Sequence, residues 1–181
     1  MALKILVAGG SGAGKTTFVR AVSESRPIRI EAVPGLLAGG SVPGPRRAAP
    51  GHESAGRPVA VVDFGRITIR TGLSLYLFGT PGEDRCRFLW DELAHEALGA
   101  VVLADARRLR DCFPAAEYFE RRTLPFLVAV NCFAESRPRG AHEIARALGL
   151  GRGTPVVLCD ARNRHSGKEV LIRLVEHAGG G

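Results

Sequence analysis

The chain is poor in the residues that most often carry special chemistry: one Met, one Trp, two Tyr and four Cys among 181 positions. Lysine is confined to Lys4, Lys15 and Lys168. Cys86, Cys112, Cys132 and Cys159 lie at least twenty positions apart and form no C-x-x-C pair. Neither a zinc site nor a disulfide framework is expected from that spacing, and a reduced, cytoplasmic protein is. No segment approaches the ~18 continuous apolar residues that a membrane span needs. Met1 to Ala8 reads as the entry to a strand rather than a signal peptide, and the C-terminal glycines carry no lipidation cysteine. Peripheral membrane association is compatible with the charge but not encoded.

What the chain has is arginine. Lys and Arg together exceed Asp and Glu, 25 to 18, for a net charge of +7. A basic surface gains affinity for phosphate backbones by releasing counterions. Here, however, Arg46, Arg47, Arg107, Arg108, Arg121, Arg122, Arg137 and Arg139 are scattered, with no aromatic platform interleaved, so no nucleic-acid partner is expected. At 45% hydrophobic and 24% charged, residues 1–181 suit a single domain able to bury its own core.

Leu3 to Ala8, Gly99 to Ala104, Phe126 to Val130 and Pro155 to Leu158 are short apolar runs that read as buried strands. Helix-length stretches lie around them: Lys15 to Glu24, Asp84 to Leu98, Arg107 to Arg122, Ala141 to Leu148 and Gly167 to Ala178. The alternation argues for an α/β fold with a mostly parallel central sheet and helices on both faces. Val59 to Val62, Ile67 to Ile69 and Leu73 to Phe78 read as extended segments joined by short turns, a hairpin at the sheet edge. Between Pro27 and Pro58, Pro, Gly, Ala, Ser and Arg crowd together without a period, and a mobile insert is expected there.

Gly9-Gly10-Ser11-Gly12-Ala13-Gly14-Lys15-Thr16 matches G-x-x-x-x-G-K-[ST] between an apolar strand and a helix, the context a phosphate-binding P-loop requires. Glycines clear the backbone N–H groups of obstruction and reach positive φ, and the helix start adds its positive dipole end. Lys15 supplies a cation to the β and γ phosphates; the Thr16 hydroxyl can ligate Mg²⁺, with Thr17 beside it.

Three later loops bear on which P-loop protein this is. Gly79-Thr80-Pro81-Gly82-Glu83 follows a strand, Asn131-Cys132-Phe133-Ala134 follows another, and Cys159-Asp160-Ala161-Arg162 follows a third. Together with Asp63-Phe64-Gly65-Arg66, Leu75 to Gly82, Phe88-Leu89-Trp90-Asp91 and Val101 to Asp105, the sequence resembles the bacterial Ras-like GTPases of the gliding-motility type. It is most similar to the GTPase component of actinobacterial conservons, over nearly the full length. The resemblance implies a Ras-like P-loop NTPase binding GTP or GDP with Mg²⁺ and acting as a slow-hydrolysing switch. It implies partners of the roadblock type and a sensor-kinase-like protein. By the same resemblance Gly82 senses the γ-phosphate, Asn131 and Cys132 stand in the guanine motif, and Asp160, Ala161 and Arg162 form the loop whose backbone meets the base.

Several positions depart from the pattern. Gly79 stands where small GTPases carry aspartate, a loss the gliding-motility type shares. Glu83 occupies the place of the water-orienting glutamine and is, with Lys15, the candidate for the chemistry. Arg57-Pro58-Val59 replaces the usual threonine run of the first switch, with Ser54 the nearest hydroxyl. Ala134 replaces the aspartate that reads guanine, and Glu135 follows it. Loss of such charge-assisted bonds, about 1.5–3 kcal/mol each, blunts base preference. Two rivals therefore stay open: an ATP-using P-loop enzyme, and a pseudo-GTPase scaffold that holds nucleotide structurally. Trp90 is expected in the core. Arg66 and Arg85 are candidates for an in-chain arginine finger, and Cys132 and Cys159 for small buried fillers. His52, His95, His142, His165 and His177 are too dispersed to bind a metal.

Overall fold

The structure, a computed structural model, describes residues 2–26, 28–32, 60–82, 87–132, 140–151 and 153–180. Seven strands form one sheet: β1 (Ala2–Gly9), β2 (Ile28–Ala32), β3 (Ala60–Arg70), β4 (Leu73–Gly79), β5 (Ala97–Asp105), β6 (Phe126–Asn131) and β7 (Val156–Cys159). Their spatial order is β2-β3-β4-β1-β5-β6-β7. β4, β1, β5, β6 and β7 run parallel to one another, while β2–β3 and β3–β4 are antiparallel. Around the sheet lie α1 (Lys15–Val22), α2 (Arg87–Ala94), α3 (Phe113–Arg121), α4 (Ala141–Ala147) and α5 (Arg164–Gly179).

Both faces of the central strands are covered, which is why those strands read as unbroken apolar runs. The period-two alternation still sorts their side chains. Ile5 and Val7 of β1 pack with Phe18, Val19 and Val22 of α1 and Leu171 and Leu174 of α5. Leu6 and Ala8 turn the other way, toward Trp90 and Leu93 of α2 and Phe119 of α3.

Several expected boundaries are corrected. Val59 to Val62 and Ile67 to Ile69 are not separate segments: β3 runs unbroken through Asp63-Phe64-Gly65-Arg66, and the hairpin turn is at Thr71-Gly72, with Gly72 at φ 81. That hairpin is not the sheet's outer edge, because β2, placed within the supposedly structureless Pro27 to Pro58, pairs outside it. The helix drawn from Asp84 to Leu98 ends at Ala94, and Ala97 already belongs to β5. Arg107 to Arg122 divides into a 3-10 turn, Leu109–Cys112, and α3. The last helix begins three residues before Gly167, at Arg164, where the Asn163 side chain accepts from the N–H groups of His165 and Ser166 at 2.9 and 3.1 Å. The remainder of the mobile insert expected at 27–58 lies outside the described residues.

Gly167 sits inside α5, where glycine costs about 1 kcal/mol relative to alanine. A Cβ there would stand 2.4 Å from Val22 Cγ1. The close crossing of α1 over α5, which fixes the helix leaving the phosphate loop, depends on that missing carbon. Gly167→Ala is expected to destabilise the fold by about 1–3 kcal/mol through overpacking, despite its better helix propensity. Urea unfolding measures this, and an unchanged or raised midpoint would show the crossing to be slack.

Candidate functional site

β1 ends at Gly9, whose φ of 138 no ordinary side chain adopts comfortably, and an added Cβ would lie 2.1 Å from the Leu103 carbonyl oxygen of β5. Gly12 and Gly14 are also left-handed, at φ 74 and 103. With Gly14 capping it and Ala13 buried behind it, the loop delivers the chain into α1 at Lys15. The Lys15 ammonium folds back and donates to the carbonyls of Gly9 at 2.9 Å and Gly10 at 2.8 Å. Burial pushes its pKa down, and the neighbouring Asp63 carboxylate opposes that shift. Ser11, Gly12 and Thr17 are exposed, as a loop that receives a ligand requires.

Thr80 is fully buried and anchors the second loop, donating from its N–H to the Val7 carbonyl at 2.8 Å and from its hydroxyl to the same oxygen at 3.3 Å. Two residues on, Gly82 lies over the phosphate loop: a Cβ there would be 3.0 Å from Ser11 N and 3.1 Å from Lys15 Nζ. Glu83 and Arg85 lie outside the described residues.

Asp63 went unrecognised in the sequence as a site residue. In the β3–β4 pairing it stands opposite Gly79, and a Cβ on Gly79 would be 3.2 Å from Asp63 Cβ. Its carboxylate accepts a hydrogen bond from the Thr16 hydroxyl. The acidic group missing at 79 is thus supplied by the neighbouring strand. The hairpin register was the signal that could have found it.

Asn131 ends β6 and is nearly fully buried. Its amide donates to the Ala13 carbonyl at 3.1 Å, and its side-chain oxygen accepts from Ala161 N–H at 3.0 Å. The asparagine therefore joins the phosphate loop to the loop after β7. Cys132 N–H donates to the Cys159 carbonyl at 2.8 Å, holding those two loops side by side. Burial raises both thiols, Cys159 to about 12, so neither is a ready nucleophile. Asp160 accepts from the backbone and guanidinium of Arg162, at 2.9 Å each, which holds its carboxyl below the usual range. Ala161 and Arg162 thus meet the site with their N–H groups already engaged. Phe133, Ala134 and Glu135 lie outside the described residues.

Of the candidates elsewhere, Arg66 turns its guanidinium to the Ser74 hydroxyl, at 3.2 and 3.3 Å, on the hairpin. Trp90 is buried, stacked on Phe119 at 6.0 Å and edge-on to Tyr118 at 5.1 Å. Among the described residues, no group of three or more His, Cys, Asp or Glu could hold a metal ion, and no helix is long and apolar enough to cross a membrane.

The family described as "Conserved hypothetical ATP binding protein" matches residues 55–181. No curated protein matches the sequence. Solved structures share the fold. The G domain of the FeoB iron transporter of T. maritima is 18% identical, with a TM-score of 0.65 over 98% of this chain and 99% of that one. The GDP form I of the cytosolic domain of the same transporter gives 0.68 at 17% identity, over 98% of this chain and 64% of that one. The Arl6 (BBS3) small GTPase of Trypanosoma brucei, bound to GppNp, gives 0.66 at 14% identity over 99% of both chains. The mixed α/β fold, with its mostly parallel sheet, is the one these structures have.

Proposed function

The chain belongs to the family described as conserved hypothetical ATP binding proteins, and on that premise we propose that it is a nucleotide-operated switch; the resemblance to Ras-like GTPases makes a guanine nucleotide its preferred ligand. The observation that carries the switch is Gly82, set against Ser11 N and Lys15 Nζ. Those are the groups a P-loop offers to a terminal phosphate. A γ-phosphate bound to those groups would lie against Gly82, so gaining or losing it changes what the second loop packs on. A ligand moves a two-state equilibrium by its differential affinity for the two states, which here is the contact made or lost at that loop.

Mg²⁺ fits the donor set. It favours one or two carboxylates with hydroxyl, water and phosphate oxygens, and Thr16 and Asp63 present a hydroxyl and a carboxylate in contact at the start of α1. Those two residues would hold the ion, which when bound neutralises charge on the phosphates. Lys15 keeps a second positive charge at the loop. Asp63→Asn is expected to raise the Mg²⁺ concentration needed for nucleotide retention by about 10–100-fold, the range typical of lost metal-supporting groups. An unchanged Mg²⁺ requirement removes Asp63 from the ion.

Hydrolysis is proposed to be slow, because Glu83 replaces the water-orienting glutamine. The resemblance to conservon GTPases supports a cytoplasmic signalling role with a roadblock-type regulator and a sensor-kinase-like protein. Adenine is the second reading of the base, favoured by the family description and by Ala134 in place of the guanine-reading aspartate. Identifying the nucleotide that copurifies, then titrating GTP, GDP, ATP and ADP, decides between the two bases. Affinity for none of the four leaves the proposal without its ligand.

A further inference from the structure

The loop after β5 presses against the outer flank of the phosphate loop, and no sequence motif called for it. Asp105, buried at the end of β5, accepts from Arg107 through its backbone N–H at 2.9 Å and its guanidinium at 3.0 and 2.8 Å. Those bonds hold the Asp105 carboxyl below its usual range. The next residue, Arg108, donates its backbone N–H to the Asp105 carbonyl at 2.9 Å and leads into the 3-10 turn. That turn meets the phosphate loop at Gly10, where a Cβ would stand 2.6 Å from Asp111 Cβ. The Arg108 guanidinium, 3.8 Å from Asp105 Oδ2 and 3.6 Å from Asp111 Oδ2, reaches across and donates to the Ser11 carbonyl at 3.2 Å. It passes 3.3 Å from where a Gly12 Cβ would be.

A trans peptide is planar, with its C=O and N–H pointing in opposite directions. Whatever fixes the Ser11 carbonyl therefore fixes the N–H of Gly12. Gly12 is glycine at φ 74, so little else resists rotation of that peptide. A reversed peptide would aim a carbonyl oxygen, rather than an N–H, at an incoming phosphate.

We propose that Arg108 is a positioning residue of the phosphate site, an external brace that holds the Ser11–Gly12 peptide with its carbonyl outward and its N–H turned inward to phosphate. The inference rests on the nucleotide-binding reading above and is independent of which base is bound. Asp105 and Asp111 aim the guanidinium, and the arginine acts through the loop without touching the ligand. Because the brace serves the loop in every nucleotide state, its removal affects diphosphate and triphosphate alike.

The test compares the parent chain with Arg108→Ala, Arg108→Lys and Arg110→Ala, the last removing an exposed charge from the same turn. Affinities for GDP and GppNp are measured, or for ADP and AppNp if the parent prefers adenine, together with the thermal midpoint without nucleotide. Arg108→Ala should weaken both ligands by the same factor, about tenfold, as loss of one charge-assisted hydrogen bond implies. Arg108→Lys, which can still donate to the carbonyl, should recover most of that affinity. Arg110→Ala should match the parent. Unchanged affinities in Arg108→Ala overturn the brace. A loss confined to GppNp also overturns it, making Arg108 a ligand of the terminal phosphate instead. If Arg108→Ala does not fold, Arg108→Met, unbranched and with no donor or charge, is measured in its place, with the same two-ligand loss expected. A parent chain that binds none of these nucleotides refutes the nucleotide-binding reading itself.

Discussion

Lys15→Ala is expected to lower nucleotide affinity by at least about 100-fold, since it deletes the cation at the centre of the loop and each 1.4 kcal/mol is worth a factor of ten. The fold should survive. Among the described residues the Lys15 ammonium donates to the Gly9 and Gly10 carbonyls, whereas the packing of α1 is carried by Phe18, Val19 and Val22 on another face of the helix. The bonds lost go to the carbonyls of buried Gly9 and half-buried Gly10, a cost of about 1–3 kcal/mol. Calorimetric titration of variant and parent, beside their thermal midpoints, separates the two effects. Equal affinity would remove Gly9 to Thr16 from the phosphate, and a collapsed midpoint would make Lys15 a structural residue.

The second large effect is expected at Asn131, and it appears in stability before any nucleotide is added. Asn131→Ala removes both bonds of a buried amide and strands the Ala13 carbonyl and the Ala161 N–H, each deep in the protein. Buried groups left unsatisfied cost about 1–3 kcal/mol apiece, so a loss of about 3 kcal/mol is reasonable. Asn131→Asp can still accept from Ala161 but cannot donate to Ala13, and it buries a charge, so it should rescue nothing. Chemical denaturation of the ligand-free protein measures this. A variant as stable as the parent would show that the amide is not a clamp between loops.

The parts of this fold legible in the sequence are those whose physics is local. β1, the glycine loop and α1 follow one another in the only order that serves a phosphate, and β5 and β6 announce burial on both faces by unbroken apolar runs. β2 was hidden because Ile28–Ala32 is five residues long and only its pairing with β3 makes it a strand. The end of α2 was hidden for a different reason. Glu96 takes a positive φ of 58, a conformation a glutamate does not advertise, while the apolar residues beyond it continue the helical spacing into β5. At the site, Lys15, Thr16 and Asn131 could be named from motifs. Asp63 and Arg108 could not, because one depends on strand register across a hairpin and the other on which loop flanks the glycines. Neither relation is written in any local stretch of chain.

Trp90 is the sole tryptophan, and it rides on α2, the helix that follows the loop bearing Gly82. Its ring stacks on Phe119 and meets Tyr118 edge-on, and its indole N–H has no hydrogen-bond partner among the described residues. An indole in such dry surroundings emits toward the blue, and it shifts to longer wavelength and is quenched differently once water reaches it. The protein therefore carries its own optical gauge. Any rearrangement that pulls α2 off α3 when a phosphate is gained or lost is readable as a change of colour in unlabelled protein, on the timescale of the rearrangement itself.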